Sequence, residues 1–185
     1  MKTLFIDTET TNSNSSTCGL VQIAGIIEID GKEKERFNIN SNIFDDDEVS
    51  EEALEINNLT IEQINKFPKP RIAFAKFISV MKKHVDQYDK KDKLIVYAYK
   101  SEFDNNVLRN WFLKNNDNYF GGWFWNPWID VMNLAMYVLQ NERSQLTNFK
   151  LITVAEYLGI TLDQRKAHDA LYDVELAKKV YKEIT

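Results

Sequence analysis

The stretch Leu4-Phe5-Ile6-Asp7-Thr8-Glu9-Thr10-Thr11 constrains this chain more than any other. An apolar run enters it, two carboxylates spaced two residues apart follow, and then come threonines and a polar loop. In a strand, residues i and i+2 point to the same side, so Asp7 and Glu9 project together where a buried strand runs out. Two acids on one side repel unless positive charge lies between them. A divalent cation held by oxygen ligands is the natural counter-charge.

The bulk properties restrict what such a site can serve. At 185 residues the expectation is a single domain spanning 1–185, burying about 70% of its extended-chain surface. The formal charge of −5 disfavours a broad clamp on duplex DNA, which is usually basic. A small footprint on a nucleic acid remains open, because carboxylates loaded with cations act as a positive site. Cys18 is the only cysteine, so no disulfide forms within the chain, which fits a reducing cytosol. Only Leu4, Phe5 and Ile6 run apolar before Asp7. That is no signal peptide, and no later run reaches membrane-spanning length; a cytoplasmic protein with no membrane association is expected.

Along the chain, Lys2 to Ile6 reads as a short buried strand and Thr8 to Gly19 as a loop. Leu20 to Ile29 is a β-branched second strand, Asp30-Gly31 a hairpin turn, and Glu33 to Asn40 an antiparallel strand near an edge. Helices are expected over Ser50–Asn57 and Thr60–Lys66, the latter ended by Pro68 and Pro70, and over Ile72–Val85 by apolar spacing. Leu94 to Tyr99 reads as a buried strand and Glu102 to Lys114 as a helix. A loop covers Asn115 to Pro127. Trp128-Ile129 is a short strand and Asp130–Gln140 a helix. The last helices are Phe149–Leu158, stopped by Gly159, and Asp169–Ile184, after a loop over Thr161–Ala167. This order gives an α/β fold with a mixed sheet of about five strands, flanked by helices and opening on an antiparallel hairpin.

Two further segments carry chemistry. In Ser101-Glu102-Phe103-Asp104-Asn105-Asn106-Val107-Leu108, Asp104 shares the inward stripe of Leu108 and Trp111 at a helix start. It is either a functional carboxylate or an acid favoured by the helix dipole. In Lys166-Ala167-His168-Asp169-Ala170-Leu171-Tyr172-Asp173-Val174, Asp173 lies at the inward edge of an amphipathic helix. His168 stands five residues earlier and would diverge by about 140° on a continuous helix. It can face the same site only from the preceding loop, a placement that Asp169 as N-cap supports. Imidazole suits general-base work near neutral pH. His84, the other histidine, reads as a structural or surface residue.

Taken together, IDTETTN, SEFDNNVL and AHDALYD resemble the three motifs of the DEDD superfamily of 3′-to-5′ exonucleases, in the DnaQ-like branch whose third motif carries histidine. The tyrosine branch would place Tyr where Asp169 stands. Glu52–Thr60 and Leu151–Ile160 also look like family segments, so the resemblance covers essentially the whole chain. It implies an RNase H-like fold with the first strand and hairpin central. It also implies two divalent metal ions, Mg²⁺ or Mn²⁺, at Asp7, Glu9, Asp104 and Asp173. Asp7 bridges both ions, Glu9 and Asp173 complete one site, Asp104 supports the other, and His168 takes the proton from the attacking water. One departure is Tyr99-Lys100-Ser101, which stands where relatives often carry His-Asn; Lys100 is a candidate phosphate contact.

For substrate grip the candidates are Thr8, Thr10 and Thr11, which extend the first motif, and Lys166 beside His168. The expected partner is a nucleic-acid 3′ end, DNA before RNA, cleaved to nucleoside 5′-monophosphates in proofreading or repair; RNA ends are the alternative substrate. A DNA polymerase or a second copy is a further candidate partner, although the absence of a tail after Thr185 favours a stand-alone enzyme. A non-catalytic nucleic-acid-binding or polymerase-associated module is the competing class, and such a module has no need of His168. Trp123–Trp128 reads as a hydrophobic plug ahead of a base-stacking platform.

Overall fold

The computed structural model describes residues 1–163 and 169–185. The sheet opens with the N-terminal strands. Strand β1 (Lys2–Thr10) pairs antiparallel with β2 (Leu20–Ile29), and β2 with β3 (Lys32–Asn40). The β2–β3 turn is the Asp30-Gly31 pair, both at positive φ (51° and 74°), as a two-residue hairpin turn with strand-matching twist requires. Gly25 is needed for close packing: a Cβ there would lie 2.5 Å from the Phe37 ring.

On the other side of β1, β4 (Ile95–Ala98) pairs in parallel, followed by β5 (Ile129–Asp130), giving the order β3-β2-β1-β4-β5. The mixed five-strand sheet with its antiparallel start and central first strand is as expected. Alternation along β1 divides two cores. Leu4 and Ile6 face one side, against α3 (Pro70–Lys82) and α4 (Ser101–Lys114). Phe5 faces the other, against α6 (Val131–Val138), α7 (Leu151–Tyr157) and α8 (Ala170–Ile184). The other helices among the described residues are the short α1 (Glu51–Ile56), α2 (Ile61–Ile64) and α5 (Phe120–Trp123) and a 3-10 helix over Gln140–Gln145.

Several local expectations are corrected. The first strand does not end at Ile6. Thr8, Glu9 and Thr10 continue the ladder against Ile23, Gln22 and Leu20, because β2 supplies partners and threonine suits a pleated surface. Pro70 opens α3 instead of closing α2, its fixed φ fitting a first helical turn. The expected loop before Pro127 contains α5. Asp130 ends β5 and caps α6 from outside; its Oδ1 accepts from Asn133 N at 2.9 Å.

Other readings hold. Asp169 caps α8, accepting from Tyr172 N, and Gly159 at φ 73° closes α7, with Ile160 N–H reaching Ala155 O. Trp123, Phe124 and Trp128 are buried among Phe112 and Phe120, forming a plug, while Trp125 is 45% exposed. His84 contacts Glu35 at 3.1 Å. Among the described residues, no helix is long and apolar enough to cross a membrane.

Candidate active site

The alternation that splits the cores also sorts the polar end of β1. Asp7 and Glu9 fall on the Phe5 face, toward α8, and Thr8 falls on the Leu4–Ile6 face, toward α4. Helix α8 lies across β1 and β2, fastened by burial of Ala170, Val174, Ala177 and Val180 and by a bond from Ala170 N to Gln22 Oε1. That seating delivers Asp173, in the first turn of α8. One carboxylate oxygen each of Asp7, Glu9 and Asp173 lies within 4.8 Å of the others.

Asp104 reaches the site from the other face. Strand β4 stops at Ala98 while β1 runs on to Thr10, so the Thr8 N–H has no strand partner on that side. The buried Asp104 carboxylate takes its place: Oδ1 accepts from Thr8 N at 3.0 Å and from Thr8 Oγ1 at 2.7 Å. Helix α4 starts at this point without a side-chain cap of its own. Lys100 occupies the capping position at φ 71°, and Ser101 N donates instead to Asp130 Oδ2 at 2.8 Å. Among the described residues, the three-acid cluster is Asp7, Glu9 and Asp173; Asp104 stands near enough for its charge to raise Asp7 and Glu9.

Burial and mutual repulsion raise the Asp7, Glu9 and Asp104 carboxyls among the described residues. Burial, then Asp104, Glu9, Asp173 and Asp169, hold the Asp7 carboxyl well above the usual range. Burial, then Asp173, Asp104 and Asp169, push Glu9 up to about 8. Burial pushes Asp104 to about 7, with Asp130 adding to the rise and the two Thr8 bonds opposing it. Among the described residues, the charged neighbours acting on Asp7 and Glu9 are acids. Three hard oxygen donors drawn together in this way fit a divalent cation.

The threonines after Glu9 organise the rim. Thr10 Oγ1 donates to Asn12 O at 2.9 Å, and Thr10 O accepts from Asn57 Nδ2 at 3.0 Å. The fully buried Thr11 donates to Glu48 O and accepts from Gly19 N. Their hydroxyls, like that of Thr8, are committed within the protein. Lys166 and His168 lie outside the described residues.

Sequence reasoning missed two contributors. Asp130, joining the starts of α4 and α6, was legible only as an Asp three residues before Asn133, a capping pattern. The Thr8–Asp104 bond joins distant segments and leaves no local signal.

The chain belongs to the exonuclease family: that family's model, RNase_T, matches residues 4–181. Comparison with curated proteins finds no match. Among solved structures, E. coli exonuclease I in complex with a dT13 oligonucleotide aligns with a TM-score of 0.76 at 21% identity, over 98% of this chain and 40% of that one. Its complex with dA16 gives 0.74 at 21% identity, over 99% and 40%. The zinc-bound complex of the same enzyme with single-stranded DNA gives 0.74 at 20%, over 99% and 40%. At this identity the likeness shows the fold, the mixed sheet with flanking helices of the RNase H-like exonucleases. This chain spans about 40% of the length of those structures.

Proposed function

We propose that this protein is a metal-dependent 3′-to-5′ exonuclease that removes nucleoside 5′-monophosphates from single-stranded or frayed DNA ends. The observation that carries the reading is the convergence of Asp7, Glu9 and Asp173 within 4.8 Å, in a chain of the exonuclease family. The similarity to an exonuclease crystallised with dT13 and dA16 supports DNA as the substrate.

The roles are those the family resemblance implies, and the positions of the residues support them. Asp7, which feels the other acids of the group, would be a principal ligand of the divalent ions, Mg²⁺ or Mn²⁺, that the reaction needs. Glu9 and Asp173 would hold metal beside Asp7, and Asp104, fixed by Thr8, would support it from the other face. When bound, such ions neutralise phosphate charge and lower the pKa of water. His168 accepts the proton of the attacking water, and the α1-side rim pinned by Thr10 and Thr11 shapes the floor for the terminal nucleotide. Lys166 meets phosphate. The protein acts in proofreading or repair, in the cytoplasm, alone or beside a polymerase or a second copy.

The test compares end-labelled single-stranded DNA, duplex DNA and short RNA with Mg²⁺, with and without chelator. The expected result is a mononucleotide product from single-stranded DNA that chelator abolishes. Cleavage of a circular strand, or undiminished hydrolysis by Asp7→Ala, would refute the reading; faster hydrolysis of RNA would reassign the substrate.

A further inference from the structure

We infer that the cavity between the C-terminal end of α3 and the start of β1 is a second binding site, and that its ligand is a nucleoside monophosphate. The inference stands apart from the exonuclease reading and concerns the end of β1 opposite the acids.

The cavity encloses about 550 Å³, within the roughly 300–1,000 Å³ of small-ligand sites. Lys2, the first residue of β1, stands in its wall. Asp7 lies five residues farther along the strand, about 17 Å away at the rise of a strand. A ligand here therefore leaves the acidic cluster free. The walls are preformed. Lys2 Nζ donates to His84 O at 2.6 Å and to Asp92 Oδ1, and Asp92 Oδ2 accepts from Asp86 N at 3.0 Å. Asp86 Oδ1 in turn accepts from Tyr88 N at 3.0 Å. These bonds tie the segment after α3 to β1 and close it into a fixed loop.

What the cavity offers is donors. Both oxygens of Asp92 and one of Asp86 are taken within the loop. Lys82, in the last turn of α3, has neither an ion pair nor a hydrogen bond among the described residues. Lys2 and Lys83 add positive charge to the same wall, shared with Asp92 and Glu35. Trp123 forms another part of the wall. It is 1% exposed, and its indole Nε1–H has no partner. A buried donor left without an acceptor is costly and asks for one from outside the chain. The indoles of Trp111 and Trp128 are unpartnered as well but do not line this cavity. At Trp123 the missing acceptor coincides with space for one.

A ligand that matches this set carries an anionic group for the Lys82 ammonium, an acceptor for the indole and a flat face for Tyr88, whose ring is 85% exposed in the cavity wall. A nucleoside monophosphate has all three: a phosphate for charge-assisted bonding, carbonyl and hydroxyl oxygens, and a base that stacks on an aromatic ring. The charges set the number of phosphates. Lys2, Lys82 and Lys83 stand against Asp86 and Asp92 in the wall, a small positive surplus that suits one phosphate and not three.

The experiment titrates thymidine 5′-monophosphate into protein labelled with ¹⁵N at tryptophan, with chelator and no added metal. Calorimetry reads affinity and the indole N–H resonances read contact. The chain has four tryptophans, and Trp123→Phe assigns one of the resonances. The expected result is saturable binding that moves the Trp123 resonance. Lys82→Gln and Tyr88→Ala, both at exposed positions, should each weaken binding about tenfold, the scale of a charge-assisted bond or a stacked base. Asp7→Asn should bind as wild type does. Thymidine and inorganic phosphate, each with part of the contacts, should bind about tenfold more weakly or worse. Equal affinity for inorganic phosphate or for thymidine overturns the nucleotide assignment, and equal affinity for thymidine triphosphate overturns the single phosphate. Absence of saturable binding to wild type overturns the site. So does binding that Asp7→Asn alters and Lys82→Gln does not, which places the ligand at the acidic cluster. These results are read without turnover, so they leave the exonuclease reading to its own test.

Discussion

Thr8 holds the carboxylate of Asp104 with two donors at once, its backbone N–H at 3.0 Å and its hydroxyl at 2.7 Å, both on Oδ1. The bond joins the end of the central strand to the first turn of α4 where β4 has stopped. It also sets the acid's charge state. Burial drives Asp104 up to about 7, and the Thr8 bonds pull against that rise.

Thr8→Val keeps the side-chain shape and β-branching but removes the hydroxyl donor. Asp104 should then titrate higher, so the acid limb of the activity–pH profile moves to higher pH. Stability above that limb should fall by about 1.5–3 kcal/mol, the scale of a hydrogen bond to an ionised group. Chemical denaturation at pH 8.5 and rate profiles from pH 5.5 to 9 check both effects. An unmoved acid limb would separate Thr8 from control of Asp104.

Metal-free protein should lose stability as pH rises. Asp7, Glu9 and Asp104 all have raised pKa values in the fold, so the folded state keeps protons that the unfolded chain releases near pH 4. Their contribution is complete below that pH. It is lost as pH climbs through about 7 for Asp104 and about 8 for Glu9. Divalent cation should reverse the trend, giving a larger rise in Tm at pH 8.5 than at pH 5. Asp7→Asn should be inactive yet more stable than wild type without metal at pH 8.5, since it removes one of several repelling charges. Thermal melts with Mg²⁺ or chelator across pH measure this, and a Tm of chelated protein that climbs from pH 6 to 9 would contradict it.

The legible part of this design is the part written in local period. Asp7 and Glu9 at i and i+2 had to share a face, and Asp104 in register with Leu108 and Trp111 had to point inward; both are found so. Asp169 as a cap and Gly159 as a stop were likewise local chemistry. The extent of β1 was not legible, because Thr8-Glu9-Thr10 carries no apolar signal and is held in the strand by β2. Asp130 was misplaced for a similar reason. Its role depends on two helices meeting, and only one of them is adjacent in sequence.

His168 lies outside the described residues, so its role is tested by separating chemistry from metal binding. Loss of a general base typically slows a reaction by about 10²–10⁴-fold. His168→Ala should lower kcat on that scale while retaining the Mg²⁺-induced rise in Tm. Asp7→Ala should lose both. If His168→Ala also abolishes the Tm response, the imidazole belongs to the metal site and not to proton transfer.

Asp130 offers a control that moves Asp104 in the opposite direction from Thr8. Its two oxygens serve two helix starts, Ser101 N at 2.8 Å and Asn133 N at 2.9 Å, and each lost cap costs about 1 kcal/mol. Asp130→Ala should therefore destabilise the protein by about 2 kcal/mol, the sum of two caps. It should also loosen the helix turn that presents Asp104. Asp130→Asn retains an acceptor for a cap but removes a negative charge that raises Asp104. It should recover much of the stability and shift the acid limb of activity to lower pH. Opposite displacements of that limb by Thr8→Val and Asp130→Asn, measured on one substrate, would identify Asp104 as the group that titrates. Displacement in the same direction would assign the limb to another acid of the cluster.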